Sequence, residues 1–195
     1  LRASTFHPPT LDFLDKLGIA DQLVDQGLIC KNWQFRDRNS GVVASFDLSL
    51  LTGETKFPFR LQCEQWKLTK ALRTYIEDHP DGELITRTSA EEVGQNDDGV
   101  WVKTIDSDGY QNRYEGRFLI GSDGARSIVR KSINAKFEGM TIPEIFLVLS
   151  TNFQYEKAIP DLANIAYISD PDEWLVLLKT LSLWRVLLPT NPEHS

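Results

Sequence analysis

The sequence predicts a mixed α/β fold with α+β character, on three observations. Residues 64–79 carry one apolar stripe at helical spacing. Between 84 and 120, short strand-like segments are separated by Asn96-Asp97-Asp98-Gly99 and Ser107-Asp108-Gly109 turns and run into RFLIGSDGARSIVRKSI. Beyond Gly139 four more strand-like segments follow, at 145–153, 163–169, 174–179 and 184–188. Pro160, Pro171 and Pro189 punctuate them, so a multi-stranded antiparallel sheet is expected there.

Taken in order, residues 2–27 read as two short helices. Pro8 and Pro9 stand where a helix can begin, because proline is tolerated in the first turn. Leu11, Leu14 and Leu17 follow at three-residue spacing, and Gly18 is the stop. Asp21 is expected to cap the second helix, which holds Leu23 and Val24 and closes at Gly27. Residues 31–48 switch to alternation, Trp33 and Phe35, then Val42, Ala44 and Phe46, about Asn39-Ser40-Gly41, a hairpin signal. Those aromatics suit either a half-buried core or a wall that faces a ring-shaped ligand. Residues 51–59, with Gly53 and Pro58, read as loop. The helix of 64–79 has the stripe Leu68, Ala71, Leu72, Tyr75 and Ile76, with Gln65 at its start beside exposed amides. Residues 84–87, 90–95, 100–105 and 113–120 read as the strands of a meander. Trp174 and Trp184 read as core aromatics.

The meander feeds the most informative stretch. Phe118, Leu119 and Ile120 read as a buried strand, Gly121-Ser122-Asp123-Gly124 as a turn, and the residues after it as a short helix carrying Arg126 and Arg130. Gly121 and Gly124 have no Cβ, which permits a sharp turn and close approach of a ligand. Asp123 can accept a hydrogen bond from an amide of the first helical turn. The helix start would offer free N–H groups and partial positive charge to a phosphate, and Arg126 and Arg130, four apart, would add anion contacts from one face. The same residues also fit a capped corner with two solvated arginines.

Other chemistries find less support. The formal net charge of −7 argues against non-specific nucleic-acid binding, which needs a basic surface. No apolar run approaches the roughly 20 residues of a membrane helix, and no secretory signal or N-glycosylation sequon is seen. Cys30 and Cys63 are far apart and read as reduced, buried thiols, which points to the cytoplasm. His7, His79 and His194 lack metal-ligand spacing, and Ser122 has the wrong offsets for a hydrolase elbow.

The corner resembles the Asp-Gly motif of the flavin-dependent aromatic hydroxylases, the para-hydroxybenzoate and phenol hydroxylase family. Gly121, Asp123, Gly124, Ser127 and Arg130 hold the motif's places. RASTFHPPTLDFLDKLG is similar to the family segment whose arginine lies over the FAD pyrophosphate and ribose, which carries that role to Arg2. CEQWKLTKAL is similar to the segment whose glutamine hydrogen-bonds the phosphate–ribityl region, which carries it to Gln65. Without the resemblance, Arg2 reads as a terminal arginine and Gln65 as a surface polar residue.

The resemblance implies a Rossmann-like FAD-binding domain with a β-meander, interleaved with an antiparallel-sheet substrate domain. Residues 1–30 and 60–140 would belong to the first, and residues 31–59 and 141–195 to the second. FAD would be held by Arg2, Gln65, Gly121, Asp123, Gly124, Arg126 and Arg130. NAD(P)H would reduce the flavin, O₂ would add to give a flavin C4a-hydroperoxide, and one oxygen would pass to a small aromatic, phenolic substrate. The oligomeric state stays open, a homo-oligomer included. The family's Gly-x-Gly-x-x-Gly and later Gly-Asp motifs are not in this sequence, and it begins at Leu1, so it is expected to be the central portion of a hydroxylase. Two alternatives stand beside this reading: a flavin halogenase or epoxidase that shares the corner, and a silent remnant that folds or pairs without flavin.

Overall fold

The computed structural model describes residues 3–142 and 144–190, and Arg2 lies outside them. The chain divides into two compact units, Leu1–Pro80 with Pro143–Ser195, and Asp81–Ile142.

The first unit opens with β1 (Thr5–Phe6) and α1 (Pro8–Asp15), which begins on Pro8 as the sequence predicts. Gly18, at φ +69°, ends the turn after α1 in a conformation that disfavours other residues. The second helix, α2 (Ala20–Val24), has Ile19 as its N-cap, and Asp21 lies inside its first turn. The expected Asp21 cap is therefore corrected, and the carboxylate instead pairs at the surface with Lys56, at 3.1 Å. Two short strands that the sequence did not announce, β2 (Leu28–Cys30) and, further on, Arg60–Gln62, join β1 in a three-stranded sheet. Phe6, Leu11, Leu14, Ile19, Ala20, Leu23, Phe57, Leu61 and Cys63 form the core beneath it. Gly27 is required there, because a Cβ would come within 2.6 Å of Leu61 Cδ1.

Next come β3 (Asn32–Asp37) and β4 (Gly41–Asp47), the expected hairpin. Asp37 Oδ1 closes its turn by accepting from Asn39 N, Ser40 N and Ser40 Oγ. A 3₁₀ turn (Leu48–Leu51) leads through the loop to β5 (Arg60–Gln62) and then α3 (Gln65–Glu77). Of the predicted stripe on α3, Leu68, Ala71 and Leu72 pack against the core, whereas Tyr75 is exposed.

In the second unit β6 (Thr88–Asn96), β7 (Gly99–Asp106) and β8 (Gln111–Gly116) form the predicted antiparallel meander. Asn96 Oδ1 and Asp106 Oδ1 hold its two turns. Trp101 lies against Gly94, where a Cβ would approach Trp101 Cζ2 to 2.4 Å. Residues 84–87 are not a strand, and residues 117–120 do not extend β8. Apolar composition alone does not make a strand. Pairing must satisfy its amides, and among the described residues nothing pairs with these segments. After the corner comes α4 (Ile128–Ser132).

Back in the first unit, β9 (Ile145–Thr151), α5 (Tyr155–Ala158), β10 (Ile165–Ser169), β11 (Leu175–Lys179) and β12 (Trp184–Thr190) complete a six-stranded sheet of order β4-β3-β10-β11-β12-β9. The four strands expected after Gly139 pair antiparallel with one another, and β10 also runs parallel to β3, which joins the hairpin to them. Pro189 lies within β12 opposite Phe146, at an end where only β9 pairs with the strand. On one face Ala166, Ile168, Leu177, Trp184 and Val186 pack with Tyr155, Ile159 and Leu162. The buried Gln34 and Arg36 side chains are satisfied by carbonyls: Arg36 donates to Pro160 O, Asp161 O and Gln34 Oε1, and Gln34 Nε2 donates to Asp161 O.

Trp184 Nε1 donates to Glu156 Oε2 at 2.7 Å, and Lys179 Nζ donates to the other oxygen. The Lys179 hydrogen bond, foremost, lowers the Glu156 pKa to about 2. A carboxyl whose pKa is depressed by folding contributes stability above its unfolded pKa and loses it as pH falls through the folded value. We expect thermal stability to decline between about pH 4.5 and pH 2 on this account. Melts of Glu156→Gln against the parent over that range check it, and parallel curves would contradict it.

Candidate functional site

Five of the seven predicted site residues come together in the corner of the second unit. Gly121 is in its tightest spot, because a Cβ would come within 2.7 Å of Val129 Cβ. Asp123 organises the rest. Its Oδ1 accepts from Ser127 Oγ at 2.5 Å, and its Oδ2 accepts from Ile128 N at 2.7 Å and Val129 N at 3.3 Å. Ser127, the N-cap of α4, in turn accepts from Arg130 N at 3.0 Å. These hydrogen bonds, that from Ser127 first, hold the Asp123 carboxyl below the usual range, so it is ionised at neutral pH. Gly124, at φ +77°, turns the chain with open space where its Cβ would be.

Three expectations about this corner are corrected. Phe118 and Ile120 are not buried: their exposures are 81% and 87%. The α4 amides are not free either, since Asp123 and Ser127 already accept from them. A phosphate laid on that helix start would meet a carboxylate. Arg126 precedes α4 rather than sharing a helical face with Arg130. Arg126 is exposed. Arg130 turns back, with Nη1 donating to Ala125 O at 2.9 Å and its guanidinium 4.9 Å from the centre of the Phe137 ring. What the corner offers a nucleotide is therefore the bare backbone at Gly124 and the Arg126 guanidinium, with Asp123 as the clasp behind them.

Gln65 belongs to the first unit. It is the first residue of α3, its side chain is exposed, and its amide donates to Ala3 O at 3.1 Å. Beneath it, Gln62 is buried and hydrogen-bonded to Thr5 Oγ1, so β1 and β5 fix where α3 begins. An exposed carboxamide there can both donate to a phosphate oxygen and accept from a ribityl hydroxyl, so its chemistry suits FAD.

The first unit also carries a feature the sequence left open. Along β3, Gln34 and Arg36 point inward, so Trp33 and Phe35 take the opposite face. There Trp33 stacks on Phe46 with centroids 4.2 Å apart and planes at 11°, and Tyr167 meets Trp33 and Phe35 at 5.7 and 5.4 Å. Phe35 and Phe46 remain more than 40% exposed. The Arg60 guanidinium lies over Trp33, 4.5 Å from the ring centre. The alternation of 33–46 announced these aromatics. Arg60 gave no signal, because its position over Trp33 depends on β5 lying beside β2.

The family model for the FAD binding domain matches residues 1–193. The chain belongs to the FAD binding domain family. This FAD binding domain is 30% identical over 187 residues to the para-nitrophenol 4-monooxygenase of Pseudomonas sp. (strain WBC-3), covering 95% of this chain and 46% of that protein. It is 29% identical to the 6-hydroxy-3-succinoylpyridine 3-monooxygenase HspB of Pseudomonas putida, covering 98% of this chain and 49% of the relative. The crystal structure of p-nitrophenol 4-monooxygenase PnpA from Pseudomonas putida DLL-E4 superposes with a TM-score of 0.92 at 26% identity, over all of this chain and 49% of that one. The chain thus spans about half the length of the relatives it matches. Among the described residues no helix is long and apolar enough to cross a membrane.

Proposed function

We propose that the chain forms part of an FAD-dependent monooxygenase that hydroxylates a small aromatic substrate with NAD(P)H and O₂. The observation that carries this reading is the half-exposed aromatic face of Trp33, Phe35, Phe46 and Tyr167, a wall suited to a flat ring. The family match supports the cofactor, and the activities of those relatives support an aromatic or heteroaromatic ring as substrate. The overall change balances as ring C–H, O₂, NAD(P)H and a proton giving ring C–OH, water and NAD(P)⁺.

FAD, when bound, supplies the oxygen activation. The protein's own residues bind, orient and exclude water. Gln65 and Arg2 steady the FAD phosphates. Gly121 and Gly124 allow close backbone approach, Arg126 adds cationic contact, and Asp123 with Arg130 holds the corner in shape for flavin and nicotinamide. Residues 1–30 with 60–140 act as the nucleotide-binding part, and 31–59 with 141–195 as the substrate-covering part. A cytoplasmic setting fits this chemistry, with Cys30 and Cys63 both free.

Reconstitution with FAD, followed by NAD(P)H oxidation with and without 4-nitrophenol, tests the reading. The expected result is a yellow protein whose NAD(P)H consumption rises with the phenol and yields hydroxylated product. A colourless protein that FAD does not reconstitute would sink it.

A further inference from the structure

We propose that Arg60 is a specificity residue, recognising an anionic oxygen substituent, phenolate or carboxylate, on the aromatic substrate. This rests on the aromatic-hydroxylase reading above and deepens it. Arg60 is half-buried on β5, and its guanidinium carbon lies over Trp33, 4.5 Å from the ring centre. Among the described residues no carboxylate, carbonyl or hydroxyl accepts a hydrogen bond from its guanidinium. That sets it apart from Arg36, whose donors are taken by carbonyls, and from Arg38, which pairs with Glu173.

The groups around Arg60 leave its charge in place. Glu64, four residues on, is held by Lys67 at 2.8 Å. His7 lies within range of the Arg60 charge. Burial, aided by that charge, lowers the His7 pKa, so the imidazole is neutral at physiological pH and adds no second positive charge beside Arg60. A guanidinium held against a ring by its charge leaves N–H groups available to an anion. An aromatic molecule seated against Phe35, at the edge of Trp33, would therefore present an oxygen anion to the donors of the Arg60 guanidinium. Tethering Arg60 by the ring instead of by a carboxylate leaves the anion site open.

The test is calorimetric titration of the FAD-supplied protein with two matched pairs, benzoate against benzamide, and 4-nitrophenolate against 4-nitroanisole, the former at a pH where the phenol is ionised. The parent should bind at least one anion about tenfold or more tighter than its neutral partner, and the pair showing the gap identifies carboxylate or phenolate. Arg60→Met should abolish that ratio while the neutral compound still binds, and Arg60→Lys should restore part of it. A role limited to clamping Trp33 would weaken both members alike. An unchanged ratio in Arg60→Met overturns this inference and leaves the hydroxylase reading standing. Failure of all four compounds to bind the FAD-supplied parent overturns both. A thermal melt of each variant establishes that it is folded.

Discussion

Replacing Asp123 by alanine is expected to weaken FAD retention about tenfold or more and to slow NAD(P)H-driven reduction of whatever flavin remains. The cause is local. One carboxylate accepts from Ser127 Oγ, Ile128 N and Val129 N, and without it the first turn of α4 loses its clasp. Gly124 and Arg126, the parts that can reach a nucleotide, then lose their fixed geometry. Asp123→Asn keeps a neutral acceptor and should fall between parent and alanine variant. Equilibrium FAD titration and stopped-flow reduction report the two effects separately. Parent-like FAD affinity together with a parent-like reduction rate in Asp123→Ala would remove Asp123 from the site.

Leu61→Ala should produce the largest loss of stability. Leu61 is fully buried on β5, between Phe6 of β1 and Ile29 of β2, and leaves no room for a Cβ on Gly27. Truncating such a leucine costs about 2–5 kcal/mol, because the site is tied on both sides by strand pairing and collapses poorly. The melting temperature should drop by about 10 °C. Since β5 leads into Gln62 and the start of α3, FAD affinity should weaken as well through Gln65. A melting temperature within about 2 °C of the parent would mean that the three-stranded sheet is not the frame assumed here.

The parts legible in the sequence share a physical trait. The meander β6-β7-β8, the β3–β4 hairpin and α3 are long, periodic and closed by local turns, so their pattern and their pairing lie close together in the chain. β1, β2 and β5 have two or three residues each, too short for any period to register, and they exist because they pair with one another across the first 62 residues. The parallel pairing of β3 with β10 joins positions more than a hundred residues apart, which no local signal encodes. Residues 118–120 misled for the opposite reason: an apolar run was read as burial, whereas burial depends on a neighbour that the described chain does not supply. In the corner, the residue types announced the turn and the short helix, but the division of labour did not follow. Ser127 is the cap, and Asp123 reaches past it to amides five and six residues on. That reach depends on the positive φ of Gly124 and the close packing of Gly121, which are properties of the folded turn.

The account turns on whether FAD contacts the corner around Gly124. Amide hydrogen exchange in residues 121–130, measured before and after adding FAD, asks this without relying on turnover. The account predicts slower exchange at 124–126 on binding, with Ile128 and Val129, already bonded to Asp123, changing little. FAD that binds with visible absorbance yet leaves exchange at 124–126 unaltered would contradict it.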